Sequence, residues 1–468
     1  MILERLTPSL RNNIVYSSAY VFITRLLNAV LVLFLARFAS ATDFGKIAAF
    51  LIYSEFILVI INLGFNQLLI QRQKLTKAEV DSVFTLHVLV TILMLVGLLI
   101  FWGPVSEFSS NLDPKLLPAI CMYMIFSALN LVPEALLRRD SRFSILLISS
   151  IVSFIVSASV SIYMLSLGNP LNALVAQLLT SKTIIVACNY YYLDKKPFFR
   201  TRLMIDRSLF RSSKFLFVES IIDTSFRNLI PVIIAWQISI EALGLFFFAS
   251  KIADALIPSL LSAIQQGSLP VFSHLTKQVD SLKISFLLVL RNSLLFLSPL
   301  VFGSIFLSEF YYDLFFGQEW AKSFWIFQIL SLIYLLLPFH VQNTNLWLAL
   351  GRTDFLFWTG LLKRGFFIIS IIVSSEHGLE GLLFAQLLSS VFALCVHLIA
   401  TKLLIDLRVT DQVTCGLSYI FCSVVIAMSL WVPIHYFSEQ SSVIPIISPF
   451  VAICVYIFTV NVVIPKVR

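Results

Sequence analysis

Apolar runs of about 20 residues, long enough for an α-helix to cross the roughly 30 Å hydrocarbon core of a bilayer, alternate along this chain with short breaks of charged residues, Gly or Pro. Fourteen such runs tile the sequence, at 14–37, 47–70, 80–102, 117–137, 144–167, 171–193, 215–238, 245–266, 284–308, 323–343, 355–374, 379–404, 414–437 and 443–464. They do not alternate polar with apolar positions and are about twice the length of a barrel strand, which excludes membrane β-strands. The pattern predicts an all-α polytopic membrane protein of about 14 transmembrane helices.

Composition agrees with the pattern. Of 468 residues, 59% are hydrophobic and 12% charged, about half the roughly 25% charge of soluble proteins. With 43 Phe and so little charge, the chain has no polar surface with which to coat a water-soluble core. Cys121, Cys188, Cys395, Cys415, Cys422 and Cys454 lie in or beside apolar runs without CxxC spacing, so neither a disulfide framework nor a zinc site is indicated.

Charge sets the expected orientation, because cytoplasmic loops retain Lys and Arg. With both termini cytoplasmic, inner segments hold 22 of these residues and outer loops four, namely Arg37, Lys46, Lys115 and Lys322. The remaining seven fall inside predicted helices. The net charge of +8 is therefore an orientation signal, and no nucleic-acid partner is implied. The first apolar run carries Arg25 and has no small-residue cleavage pattern, so it is expected to be retained rather than removed as a signal peptide. The longest polar stretch, from Asp194 to Lys214, is basic and contains Pro197; it reads as a cytoplasmic linker lying on anionic headgroups.

Landmarks recur on either side of that linker at nearly one offset. Phe44-Gly45 answers Leu243-Gly244, Leu75-Thr76-Lys77 answers Leu275-Thr276-Lys277, Arg25 answers Arg227, and Glu55 answers Asp254. Such a repeat is the mark of duplicated transporter halves. It predicts two pseudo-repeated six-helix lobes, at 1–193 and 215–405, joined by the 194–214 linker and followed by a C-terminal helix pair at 406–468.

Polar residues inside the runs are the candidate functional groups. At about 1.5 Å per residue, Arg25 lies about 16 Å into its run and Arg227 about 18 Å, too deep to snorkel. An Arg at that depth costs about 2.5–3.5 kcal/mol, so it faces a water-filled cavity or pairs with an acid. Glu219, Asp223 and Arg227 share one helical face, Lys251 and Asp254 form a pair three apart, and Glu55, Asn62 and Asn66 share a face. Lys363 and Arg364 are adjacent and point in different directions. Arg25, Arg227, Lys251, Lys363 and Arg364 are the candidate substrate-binding cations of a central cavity. Glu55, Glu219, Asp223 and Asp254 are the candidate coupling or pairing acids. The alternative is that these charges only neutralise one another and fix helix registry. An excess of cations points to an anionic substrate of pyrophosphate type, which guanidinium binds bidentately.

Other polar positions carry less. His87, His340, His377, His397 and His435 are scattered and lack ligand spacing, so no metal is expected. Asn343 and Asn345 read as caps or interhelical glue. No GxxxxGK[ST], GxSxG or extramembrane carboxylate pair is present, leaving ATP hydrolysis and glycosyl transfer without a site.

A set of strings in order, ARFASATDFG (36–45), LIQRQKLT (69–76), ALLRRDSRF (135–143), GQEW with FQIL (317–330), LALGRTDF (348–355) and GLEGLLFAQ (378–386), resembles the bacterial Wzx-type oligosaccharide flippases. These form the polysaccharide transporter branch of the MOP superfamily, beside lipid II flippases and multidrug exporters of the MATE type. The resemblance implies a protein of the bacterial inner membrane that moves undecaprenyl-pyrophosphate-linked oligosaccharide repeat units from the cytoplasmic to the periplasmic leaflet, for O-antigen, capsule or exopolysaccharide assembly. It implies a transporter rather than an enzyme, with other polysaccharide assembly proteins as partners. It also implies no bound cofactor, with H+ or Na+ as the coupling ion exchanged at Glu55, Asp223 or Asp254. Relatives use a cationic cavity between two lobes, and Arg25 and Arg227 occupy comparable helices. After Arg227-Asn228 many similar sequences carry an Asp where this one has Leu229, Ile230 and Pro231, and Asp223 takes its place as the candidate acid. Two rival readings stay open: a MATE-like small-molecule exporter, which would favour acidic cavity residues, and a membrane polysaccharide polymerase or ligase, which would need a sizeable outer loop.

Overall fold

The computed structural model describes residues 8–72, 75–103, 114–199 and 207–437, and among these the regular structure is helical, with no strand. The run predicted at 443–464 lies outside the described residues. Among the described residues ten segments are long and apolar enough to cross a membrane, and further helices accompany them. The chain is an all-α membrane protein. It divides by its internal contacts into two units, 1–248 and 249–468.

In the first unit α1 spans Pro8–Ala36, α2 Ala41–Asn62, α3 Phe65–Gln71, α4 Lys77–Ile100, α5 Leu117–Arg139, α6 Phe143–Ser166, α7 Pro170–Tyr192 and α8 Arg207–Ile233. A turn of π-helix, Ile234–Ile238, follows α8, and α9, Ile240–Leu275, runs on into the second unit. Start signals are local. Ser40 and Asp43 close a capping box on α2, and Thr76 and Glu79 close one on α4, each satisfying backbone N–H groups that a helix start leaves open.

The run predicted at 47–70 is not one helix. Leu63 is left-handed and Gly64 has φ +76°, and a Cβ on Gly64 would stand 2.6 Å from the Ser213 carbonyl and 2.8 Å from the Phe217 amide of α8. The break lets α8 approach the backbone itself. The polar groups it frees are taken up nearby: Asn62 Oδ1 accepts from the Asn66 amide, and the Asn62 carbonyl lies 3.2 Å from Nε2 of buried His87. Glu55 and Asn62 still share a face of α2 seven residues apart, but Asn66 stands beyond the break on α3, which corrects the sequence expectation for that residue. The basic stretch is likewise helical from Arg207 onward.

The first unit's core gathers Phe65 and Leu69 of α3, Val83 of α4, Val132, Ala135 and Leu137 of α5, and Leu146 of α6. Between α6 and α7 runs a seam of buried serines at every fourth position, Ser149, Ser153, Ser157 and Ser161. Ser149 donates to Asn189 Oδ1, Ser153 to the Ser181 carbonyl and Ser161 to the Ala173 carbonyl. Small residues bring two membrane helices close, and their hydroxyls add interhelical hydrogen bonds.

The second unit continues with α10 Val279–Phe315, α11 Phe324–Leu335, α12 Leu337–Ala349, α13 Thr353–Ser374, α14 Gly378–Ile405 and α15 Val409–Phe437. The run at 323–343 is therefore two short helices, parted at Leu336 ahead of Pro338, whose ring cannot continue an intrahelical bond. Phe272, Phe286, Leu290, Leu294, Leu346, Trp347 and Leu398 form its main core, with Val413 and Ile420 of α15 packed against it. Exposed Leu93, Ile100, Ile372, Val373 and Phe421 are the side chains a lipid environment accommodates.

Candidate functional site

Five of the nine candidate charges lie in the first unit. Glu219, Asp223 and Arg227 rise along one face of α8, and all three are exposed. Asp223 and Arg227 make a loose ion pair of 3.8 Å, their side chains 62% and 63% exposed. The Arg227 guanidinium also donates to Thr224 Oγ1 at 3.3 Å. One residue on, buried Asn228 reaches across to α2 and donates to Glu55 Oε2 at 3.0 Å while also donating to the Thr224 carbonyl. Glu55 is itself exposed, so α2 and α8 present one open, charged surface. Arg25 of α1 is exposed as well, and no hydrogen bond or ion pair holds it among the described residues.

The other four charges lie in the second unit. Asp254 of α9 accepts a hydrogen bond from the Tyr334 hydroxyl of α11, and the pairing with Lys251 that their spacing allows is not among its contacts. Lys251 is half-buried and partnered elsewhere. Arg364 is exposed, whereas Lys363 turns inward and places its amine 2.7 Å from Nε2 of His397, a side chain with no exposure.

Sequence reasoning missed this meeting. His340 and His397, treated as scattered, stand with ring centroids 5.0 Å apart. His397 also stacks on Trp347 at 4.8 Å and 12°. Trp347 Nε1 donates to Thr401 Oγ1 at 3.0 Å, and Thr401 donates to Asn343 Oδ1. The signal was four polar positions on the short α12, namely half-buried His340 and buried Gln342, Asn343 and Asn345. The partners of Asn343 and Asn345 are 58 and 77 residues away in sequence, on α14 and α9, so spacing alone does not find them.

Two further cations inside the helices sit over aromatic rings. Lys182 lies 5.3 Å above the Tyr123 ring and Arg291 lies 5.5 Å above Tyr419, arrangements that hold a cation among apolar groups. No group of three or more metal-ligating side chains is present among the described residues.

The start of α2 also crosses the start of α9 within the first unit. A Cβ on Gly45 would stand 1.8 Å from the Ile240 carbonyl oxygen, and one on Gly244 would stand 1.8 Å from that of Ala41. Gly45 answers Gly244 and Ala41 answers Ile240 at one offset of 199 residues. The crossing therefore repeats its own contact about a pseudo-two-fold axis, and Phe44 and Phe248 pack edge to face at 5.9 Å beside it.

Comparison with known proteins agrees with this architecture. A family model described as polysaccharide biosynthesis protein matches residues 34–324. The succinoglycan biosynthesis transport protein ExoT of Rhizobium meliloti (strain 1021) is 24% identical over 338 residues, 72% of this chain and 68% of that protein. The lipopolysaccharide biosynthesis protein WzxC of Escherichia coli (strain K12) is 21% identical over 351 residues, 73% and 70% of the two chains. Among solved structures, the lipid II flippase MurJ in an inward closed conformation matches with a TM-score of 0.71 at 16% identity, over 96% of this chain and all of that one. An inward-facing multidrug resistance MATE transporter of the MOP superfamily gives a TM-score of 0.64 at 13% identity, over 84% of this chain and 98% of that one. These likenesses fix the fold as that of a multi-helix membrane transporter, and by its family match the chain belongs to the polysaccharide biosynthesis protein family.

Proposed function

We propose that this protein is a flippase of the bacterial inner membrane. It carries undecaprenyl-pyrophosphate-linked oligosaccharide repeat units from the cytoplasmic to the periplasmic leaflet by alternating access, with both termini cytoplasmic. The observation that carries the reading is the exposure of Arg227 and Asp223 near the middle of the apolar run 215–238. Arg227 lies about 16 Å from the end of the π turn at Ile238. Lipid would charge a guanidinium at that depth about 2.5–3.5 kcal/mol, so an exposed one meets water. A hydrated, charged face inside a membrane protein is where a charged headgroup crosses.

The chemistry of the cargo matches that face. A pyrophosphate and its sugars lose their hydrogen bonds in hydrocarbon, which makes spontaneous crossing prohibitive. Arg25 and Arg227 would hold the pyrophosphate, since guanidinium takes phosphate oxygens in pairs, while Asp223 and Thr224 set the position of Arg227. The polyprenyl chain stays in lipid. An inside-negative potential adds about 2.3 kcal/mol per charge per 100 mV in favour of outward movement of an anion. The glycine crossing of α2 and α9 lies on the side that the loop charges assign to the periplasm, and supports a reading in which it closes the outer side.

The test is ligand-induced stabilisation. Undecaprenyl pyrophosphate is expected to raise the melting temperature of the detergent-solubilised protein, undecaprenol to leave it unchanged, and Arg227→Ala to abolish the rise. Equal stabilisation by the uncharged lipid would overturn the assignment of the cations to the pyrophosphate.

A further inference from the structure

The second unit contains a cluster that this transport reading does not use. Lys363, His397 and His340 come from three helices, α13, α14 and α12, and lie about 15, 12 and 14 Å from the ends of those helices that face the Arg352 and Asp406 turns. They therefore share one depth near the middle of the bilayer. Lys363 Nζ is 2.7 Å from His397 Nε2, and the two imidazoles meet edge to face. Nδ1 of His397 and Nδ1 of His340 are buried without a hydrogen-bond partner among the described residues. The charged groups acting on the three are one another and Arg364, and no carboxylate pairs with them among the described residues.

This geometry admits a limited number of protons. When Lys363 is an ammonium it donates to Nε2, so His397 must be neutral with its hydrogen on Nδ1. A proton added at Nε2 would set donor against donor at 2.7 Å, and the contact between α13 and α14 would have to open. The movement has somewhere to go, because the His397 ring is stacked on Trp347, and Trp347, Thr401 and Asn343 form a continuous hydrogen-bonded run back to α12. Sodium is disfavoured here: nitrogen bases beside an ammonium offer no carboxylate or carbonyl cage for a hard cation.

We infer that Lys363, His397 and His340 form a proton-binding site within the second unit, and that the proton it exchanges is the ion coupled to transport. The coupling half of this inference rests on the flippase reading; the site itself does not.

Trp347 is a reporter built into the site, since a protonated imidazole quenches an indole stacked on it. The full-length protein in lipid nanodiscs is titrated from about pH 9 to about pH 4.5, and the signal of Trp347 is isolated by difference from Trp347→Phe. Its emission is expected to fall by about half as the stacked imidazole takes up a proton. His397→Gln should abolish the fall, and Lys363→Met should move its onset up by about one to three pH units, because the opposing ammonium is gone. Lys363→Gln, which keeps a polar head, serves the same purpose if the Met variant does not fold. A flat titration, or an onset that ignores position 363, overturns the site. In proteoliposomes an imposed pH gradient should accelerate flipping of lipid-linked glycan by the wild type and not by His397→Gln. Flipping indifferent to the gradient overturns the coupling. Absence of flipping at every pH, with the titration intact, overturns the transport reading and the coupling with it while the site stands.

Discussion

At the scale of single side chains the basic residues divide by what holds them. Arg138 forks onto Glu134 with donors at 2.9 and 2.7 Å, and Arg139 donates to the Leu69 and Arg72 carbonyls where α3 ends, a placement that complements a helix C-terminus. Among the described residues Arg25 has no such hold. The two kinds should fail differently. Arg139→Ala is expected to cost about 1.5–3 kcal/mol, the worth of charged hydrogen bonds, visible as a lower melting temperature in detergent. Arg25→Ala should leave the melting temperature unchanged and slow flipping; equal destabilisation by both would make Arg25 structural. Arg25 and Arg227 were legible in the sequence because a charge inside an apolar run is conspicuous. Lys363 was legible too, but its meeting with His397 was not, because hydropathy does not say which faces of two neighbouring helices turn toward each other.

At the scale of elements, most helices lie where the apolar runs place them, and the departures have backbone causes. Gly64 breaks α2 from α3 within a run whose hydropathy is continuous, and Leu336, ahead of Pro338, parts α11 from α12 within another. Close approach of α8 sets the first break and a proline ring the second, and neither registers in hydropathy. The same holds for the crossing of α2 and α9, where the glycines were visible as a repeat but their contact was not. Gly45→Ala is expected to force the crossing apart, since the new methyl meets a carbonyl oxygen rather than a side chain that can yield. With Ala48→Cys placed one turn further into α2 in a cysteine-free background, a membrane-impermeant maleimide added from the periplasmic side should label Gly45→Ala and spare the Gly45 parent. Equal protection of both would show that the crossing does not seal that side.

For the whole molecule, the family match, the fold and the recurrence of a contact at one offset agree on a membrane protein of transporter fold. What the charges do within it is the central claim, and it stands apart from the fold, because a multidrug transporter shares the architecture. The most direct measurement reconstitutes the full-length protein in proteoliposomes with a fluorescent undecaprenyl-pyrophosphate-linked glycan and follows its transfer between leaflets. Wild-type protein should flip it. Arg25→Ala and Arg227→Ala, folded and present in equal amount, should each slow transfer about ten-fold or more, the equivalent of one lost charged hydrogen bond. Transfer at the wild-type rate by both variants would contradict the account.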